Sequence, residues 1–268
     1  MNVREAWAGQ RALLFISHPG HELRIHGWLE TARPDVMVLT DGSGGTGVSR
    51  LSSTERVLAA AGCQPSAVLG EFTDRRVYEL ILTHRFDGFL RVVDRLVAHV
   101  RAFQTQYIIS DAADGMNPAH DLCRLLVAAA WEKLRRHHGL RLPTYSFRCS
   151  GPLEAAPQAG AGDFHLSLDD DCLRRKLQAI HDYRELRDEV RVFENRSALD
   201  SIRHEYFSEF AAEEAFAFSN AAKPFYEMYG EQQVARRRYR EVLRRDRHMR
   251  PLADTLWRYA TVAHRHVA

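Results

Sequence analysis

The chain has 268 residues, 45% of them hydrophobic and 27% charged, with a formal net charge of +2. That composition is ordinary for a globular domain and too balanced for a nucleic-acid footprint, so no nucleic-acid partner is expected. No apolar run approaches the roughly 20 residues of a membrane span, and the N-terminal residues lack a secretory apolar stretch, which makes the cytoplasm the expected compartment.

Residues 13–16 are a continuous apolar run, suited to a strand buried on both faces. The run ends in Ser17-His18-Pro19-Gly20-His21-Glu22, after which Leu23, Ile25, Trp28 and Leu29 recur with helical spacing. Strand, tight loop and helix put two imidazoles where open α/β sheets collect ligands, at the carboxyl end of a strand. Two histidines three residues apart can grip one metal ion, although Pro19-Gly20 is equally a turn signal and His21 equally a residue solvating a helix start. Residues 36–40 form a second buried strand that enters the glycine-rich loop 41–47. A dinucleotide cradle needs its glycines after the first strand and directly before a helix. This loop reads instead as a pocket wall.

Further along, residues 52–61 predict a helix with a capping box of Ser52 and Glu55. Residues 67–70 predict a third strand, 86–103 a helix, 107–110 a fourth strand, and 122–134 an amphipathic helix that follows the polar loop DAADGMNPAHD. Strands alternating with helices imply a parallel sheet with right-handed crossovers. Residues 151–163 are rich in Gly, Ala and Pro and read as a loop, and residues 164–168 alternate like an edge strand. From Asp169 the pattern is mostly helical, with breaks at Lys223-Pro224 and Gly230, Arg236 to Arg238 on the helix that follows, and a basic helix closing the chain. The cysteines (Cys63, Cys123, Cys149, Cys172) form no C-x-x-C pair and read as reduced packing residues. The fold class is therefore α/β: a Rossmann-like, mostly parallel sheet with helices on both faces and a helical C-terminal extension. It is read as a single domain, with 1–150 as the core and 151–268 as its completion and a candidate lid.

Three loops at strand ends carry polar chemistry: SHPGHE, TDGSGG and DGMNPAHD. In this order they resemble the LmbE-like, or PIG-L, de-N-acetylases, whose first loop reads A-H-P-D-D-E, second T-x-G-x-x-G and third H-x-D-H. Lys176-x-x-Ala179-x-x-x-Tyr183 resembles the late helix of the same family. The resemblance implies a zinc or other divalent ion held by His18, His21 and His120, and an N-acylated sugar or similar small molecule as substrate. Two departures stand out. Gly20 occupies the place of the family's general base, and Asn117 that of its third-loop histidine. An amide can donate to an oxyanion but cannot shuttle a proton at neutral pH.

Three neutral imidazoles leave a zinc ion doubly positive with a position open for water, whose pKa can fall toward about 7. Hydrolysis thus remains open despite Gly20. The catalytic candidates are Asn117 as oxyanion donor and Asp114, Glu22 and Glu227 as carboxylates able to move protons; Asp111 and Asp121 are further carboxylates in the loop, the latter a candidate to orient His120. Asp41, Arg56 and Tyr226 are the substrate-contact candidates. The leading reading is a divergent amide hydrolase of the deacetylase kind. The alternatives are a catalytically silent binding protein of the same fold, and a metal-dependent transferase or lyase.

Overall fold

Ala12–Ile16 (β1) is buried at every position, and its alternating side chains supply both halves of the core. Leu13 and Phe15 enter one apolar cluster, and Leu14 and Ile16 enter the other, as the two-residue period of a strand requires. The computed structural model describes residues 7, 9–44, 46–149, 163–186, 201–216 and 222–262. After β1 a short loop leads through a 3-10 turn, His21–Ile25, into α1 (His26–Ala32) and then β2 (Asp35–Thr40). α2 (Leu51–Ala61), β3 (Gln64–Phe72), α3 (Asp74–Leu82), α4 (Asp87–Phe103), β4 (Tyr107–Asp111) and α5 (Pro118–His138) follow. The second half supplies β5 (Thr144–Phe147), β6 (Phe164–Ser167), α6 (Asp170–Asp182), β7 (His204–Glu209), α7 (Phe225–Ala235) and α8 (Arg250–Thr261).

The sheet is seven-stranded in the order β3-β2-β1-β4-β5-β7-β6. β3, β2, β1, β4 and β5 are parallel; β7 runs antiparallel to β5, and β6 antiparallel to β7. Helices cover both faces. Ile81 of α3, Phe89 of α4, Leu126 of α5 and Leu256 of α8 belong to one cluster, and Trp28 of α1, Leu58 of α2 and Ile180 of α6 to the other. The chain leaves β1 toward β2 on one side and later returns to β4 on the other. The loops after β1 and β4 therefore flank a topological switch point, the usual ligand crevice of an open α/β sheet.

Several local expectations are corrected. The Ser52–Glu55 box does not form: α2 begins at Leu51, Ser52 is exposed, and Arg50 precedes the helix without a side-chain cap. α3 is an addition, started by Thr73, whose side chain accepts from Arg76 N. β5 and β7 are also additions; both lie on the side of the sheet where strands turn antiparallel. Gly230 does not break α7 but sits buried within it, where an added Cβ would come 3.1 Å from Val242. α7 stops at Ala235, so Arg236 to Arg238 form a turn with Arg237 at φ 58°. The predicted loop at 151–163 lies outside the described residues except for Asp163, whereas the edge strand at residue 164 is present as β6.

Candidate metal centre

Gly20 sets the shape of the first loop. Its φ of 102° is a conformation that L side chains rarely adopt, and it turns the chain so that His18 and His21 face the same crevice. Glu22 holds this turn from beneath: it is fully buried, Oε2 accepts from Gly20 N at 2.8 Å, and Oε1 accepts from Thr54 Oγ1 at 2.7 Å. Burial pushes its carboxyl up to about 7. On the other side of the crevice, Asn117 caps α5 by accepting from Ala119 N at 2.9 Å, which brings His120 into the first turn of that helix.

The three imidazoles converge. Ring centroids are 5.2 Å apart for His18 and His21, 5.5 Å for His18 and His120, and 4.9 Å for His21 and His120. Each ring has a carboxylate of its own at Nδ1. His18 Nδ1 lies 2.9 Å from Asp74 Oδ1 and 2.9 Å from Thr40 Oγ1. His21 Nδ1 lies 2.9 Å from Asp111 Oδ2, and His120 Nδ1 lies 3.1 Å from Asp114 Oδ2. Histidines that ligate metals commonly donate their second ring N–H to a carboxylate, which fixes tautomer and ring orientation. For His21 and His120 this leaves Nε2 to act as a ligand; the His18 Nδ1 hydrogen bond is to Thr40 Oγ1, Asp74 Oδ1 being close without bonding, and its Nε2 faces Asn117 Nδ2.

The electrostatics of His21 and His120 run in opposite directions. Burial pushes the His21 imidazole down to about 4, against the pull of Asp111, so the ring is neutral at pH 7. Burial alone would lower His120, but Asp114, Asp111 and Asp121 outweigh it and raise its pKa. Burial opposes ionisation of Asp74, yet His18, Thr40 and Gly44 N–H together bring its carboxyl down to about 2. Asp111 is likewise held below the usual carboxylate range by His21, His120 and Ser17, against its own burial.

The histidines open onto a cavity of about 340 Å³. Of the residues expected at the site, His18, His21, His120 and Asn117 line it. Asn117 Nδ2 is 3.2 Å from His18 Nε2, and the helix cap made by Oδ1 fixes the amide in that sense. The other candidates lie elsewhere. Asp114 stands behind His120, and Asp121, weighed as the orienter of that ring, instead accepts from Gly115 N at 3.1 Å. Asp41 folds back on Ser43 N (3.0 Å), and the exposed Arg56 bonds Ser53 Oγ (2.7 Å). Tyr226 is buried in the apolar cluster beneath α7, and Glu227 accepts from Arg245 N at 2.7 Å, so the segment brings no carboxylate to the cavity wall.

Sequence reasoning missed Asp74, Arg24, Arg50, Lys176 and Cys149, all of which line the cavity. Arg50 had a signal, since it sits where the glycine loop ends. Asp74 had a weaker one, the Thr73-Asp74 helix start after the third strand. The apolar wall comes from Leu23, Ile180, Leu186 and Ile202.

No family model matches the chain, and no curated protein matches it. Among solved structures, the A40926 pseudoaglycone deacetylase Dbv21 superposes with a TM-score of 0.50 at 17% identity, over 74% of this chain and 96% of that one. A deacetylase from the biosynthesis pathway of teicoplanin, in a bog complex, gives 0.50 at 11% identity, over 75% and 97%. The chain shares the mostly parallel α/β fold of these two deacetylases. At these identities the likeness carries the architecture, and the chemistry must come from the residues. The loops after β1 and β4 are the ones that meet at the switch point of this sheet, and they bring three imidazoles.

Proposed function

We propose that this chain is a metal-dependent amide hydrolase that removes the acyl group from a small N-acylated molecule, with an N-acetyl amino sugar as the first candidate. The observation that carries the reading is the convergence of three imidazoles, each with its own carboxylate at Nδ1. The donor set fits zinc or a similar divalent ion, because three imidazole nitrogens on a rigid sheet edge leave a coordination position for chemistry. His18, His21 and His120 are the residues that would hold it. When bound, the ion supplies Lewis-acid polarisation of the amide carbonyl and acidifies water.

The chain's own groups divide the remaining work. Asn117 Nδ2, fixed by the helix cap, donates to the oxyanion that develops on the carbonyl. Arg50 and Arg24 offer cationic contacts to the polar part of the substrate, and the Leu186–Ile180 wall offers a surface for the acyl chain. Asp74, Asp111 and Asp114 are positioning residues. Glu22 braces the loop, and Glu227, Tyr226, Asp41 and Arg56 take no part in the reading.

A second reading, a ligand-binding protein without turnover, is favoured by one feature. Gly20 provides no carboxylate, and Asp74, the carboxylate found among the described cavity-lining residues, is held by His18 and Gly44 N. The test is metal analysis of the purified protein followed by a panel of N-acyl sugars and N-acyl amino acids, scored by release of the free acid. Turnover that His120→Ala abolishes supports the hydrolase. A metal-loaded, folded protein that is silent on the whole panel supports the binding protein.

A further inference from the structure

Behind His21 is a buried polar atom that the three-histidine reading leaves unused. Asp111 is fully buried at the end of β4, and its Oδ2 takes the donors from Ser17 N, Ser17 Oγ and His21 Nδ1. Its Oδ1 has no hydrogen-bond partner. A buried carboxylate oxygen without a donor is costly, because nothing replaces the water it has lost. Beside it, just past the end of β5, is the buried thiol of Cys149, which lines the cavity where Asp111 does not. A ring nitrogen of His21, an oxygen of Asp111 and Sγ of Cys149 all lie within 4.8 Å of one another. Imidazole, carboxylate and thiolate together form a donor set for a borderline-soft divalent ion.

We propose that Cys149 is a thiolate donor to a second divalent-cation position behind His21, completed by Asp111 Oδ1 and His21 itself. It goes beyond the hydrolase reading and shares only His21 with it. The cation satisfies the orphaned oxygen and displaces two protons to solvent, the Cys149 thiol proton and the His21 Nδ1 proton that Asp111 Oδ2 accepts, so that His21 serves the inner position through Nδ1 and the outer one through Nε2. His18 and His120 serve the outer position alone, and Cys149 serves the inner one alone.

Cobalt(II) titration of the full chain tests this without reference to turnover. The wild type should bind two ions and develop the near-ultraviolet thiolate-to-cobalt charge-transfer band. Cys149→Ser should lose that band and one of the two ions while keeping the visible ligand-field bands of the outer ion. His120→Ala should keep the charge-transfer band. Cys63, Cys123 and Cys172 do not line the cavity, so none of them can stand in for Cys149. X-ray absorption on the zinc-loaded wild type, which needs no variant to fold, should show a sulfur neighbour at about 2.3 Å. Cobalt or zinc held by nitrogen and oxygen alone overturns the proposal and leaves the three-histidine centre standing. A sulfur signal that survives Cys149→Ser also overturns it. A wild type that takes up no ion at all overturns both.

Discussion

At the scale of single residues, Gly20 and Asn117 are where this site departs from the de-N-acetylase pattern that its loops resemble. A carboxylate at position 20 would have to adopt φ near 102°, and its Cβ would come 2.9 Å from Leu186 Cδ1 and 3.6 Å from the Tyr183 ring. Leu186 can shift, but the backbone strain cannot be relieved by a neighbour. Gly20→Asp should therefore lose about 1–3 kcal/mol in urea unfolding and gain no hydrolysis; a variant as stable as the wild type with new activity would mean that the loop readily accepts a base. Asn117 has two jobs that can be separated. Asn117→Ser keeps an oxygen able to cap α5 and removes the amide donor, so on the hydrolase reading kcat should fall by roughly 10²-fold or more with little change in the urea midpoint. Equal losses of kcat and stability would reduce Asn117 to a helix cap.

At the scale of elements, the central strands were legible because parallel strands buried on both faces are nearly unbroken apolar runs, as at residues 13–16 and 36–40. β5 (TYSF) and β7 (HEYFSE) are short or polar on alternate positions and lie toward the antiparallel side, so no such run marks them. α3 is hidden for a related reason: its sequence, DRRVYELIL, buries only Val77, Leu80 and Ile81. The histidines were legible because they follow strands in sequence. Asp111 was legible as a loop carboxylate but its pairing with His21 was not, nor was Asp74, since Asp74 reaches His18 and Asp111 reaches His21 only once β3 and β4 have taken their places beside β2 and β1.

The same dependence on tertiary structure governs the joint between α1, α6 and β7. Glu205 is fully buried and accepts from Gly27 N, Trp28 N and Lys176 Nζ, at 2.8, 2.8 and 2.7 Å. It thereby satisfies two N–H groups at the start of α1, which have no partner within the helix. Lys176, whose pKa burial lowers, also donates to Arg24 O at 2.7 Å and so ties the cavity wall to the joint. Removing one member of a buried pair strands the other's charge, typically at about 3–5 kcal/mol. Glu205→Gln should accordingly cost about 3 kcal/mol in urea unfolding. A cost below ~1 kcal/mol would show that the joint is wet or rearranges.

For the molecule as a whole, the question is whether the proposed metal centre would hold the fold or rest on it. The described apolar residues form one cluster on each face of the sheet, and neither depends on the histidine loops: Leu13, Phe15, Ile108 and Leu126 fill one, and Leu14, Trp28, Val36 and Phe207 the other. A chain of this length can bury such a core unaided, unlike a small zinc finger that is unfolded without its ion. A ligand at a hundredfold excess over its Kd stabilises the native state by about 2.7 kcal/mol, which for a domain of this size corresponds to a Tm change of roughly 5–10 °C. Chelating the metal-loaded protein should therefore lower Tm by that amount and leave the far-ultraviolet circular dichroism at 25 °C unchanged. Collapse of the dichroism on adding chelator would mean that the ion is part of the core, and that the three histidines were selected for folding before any chemistry.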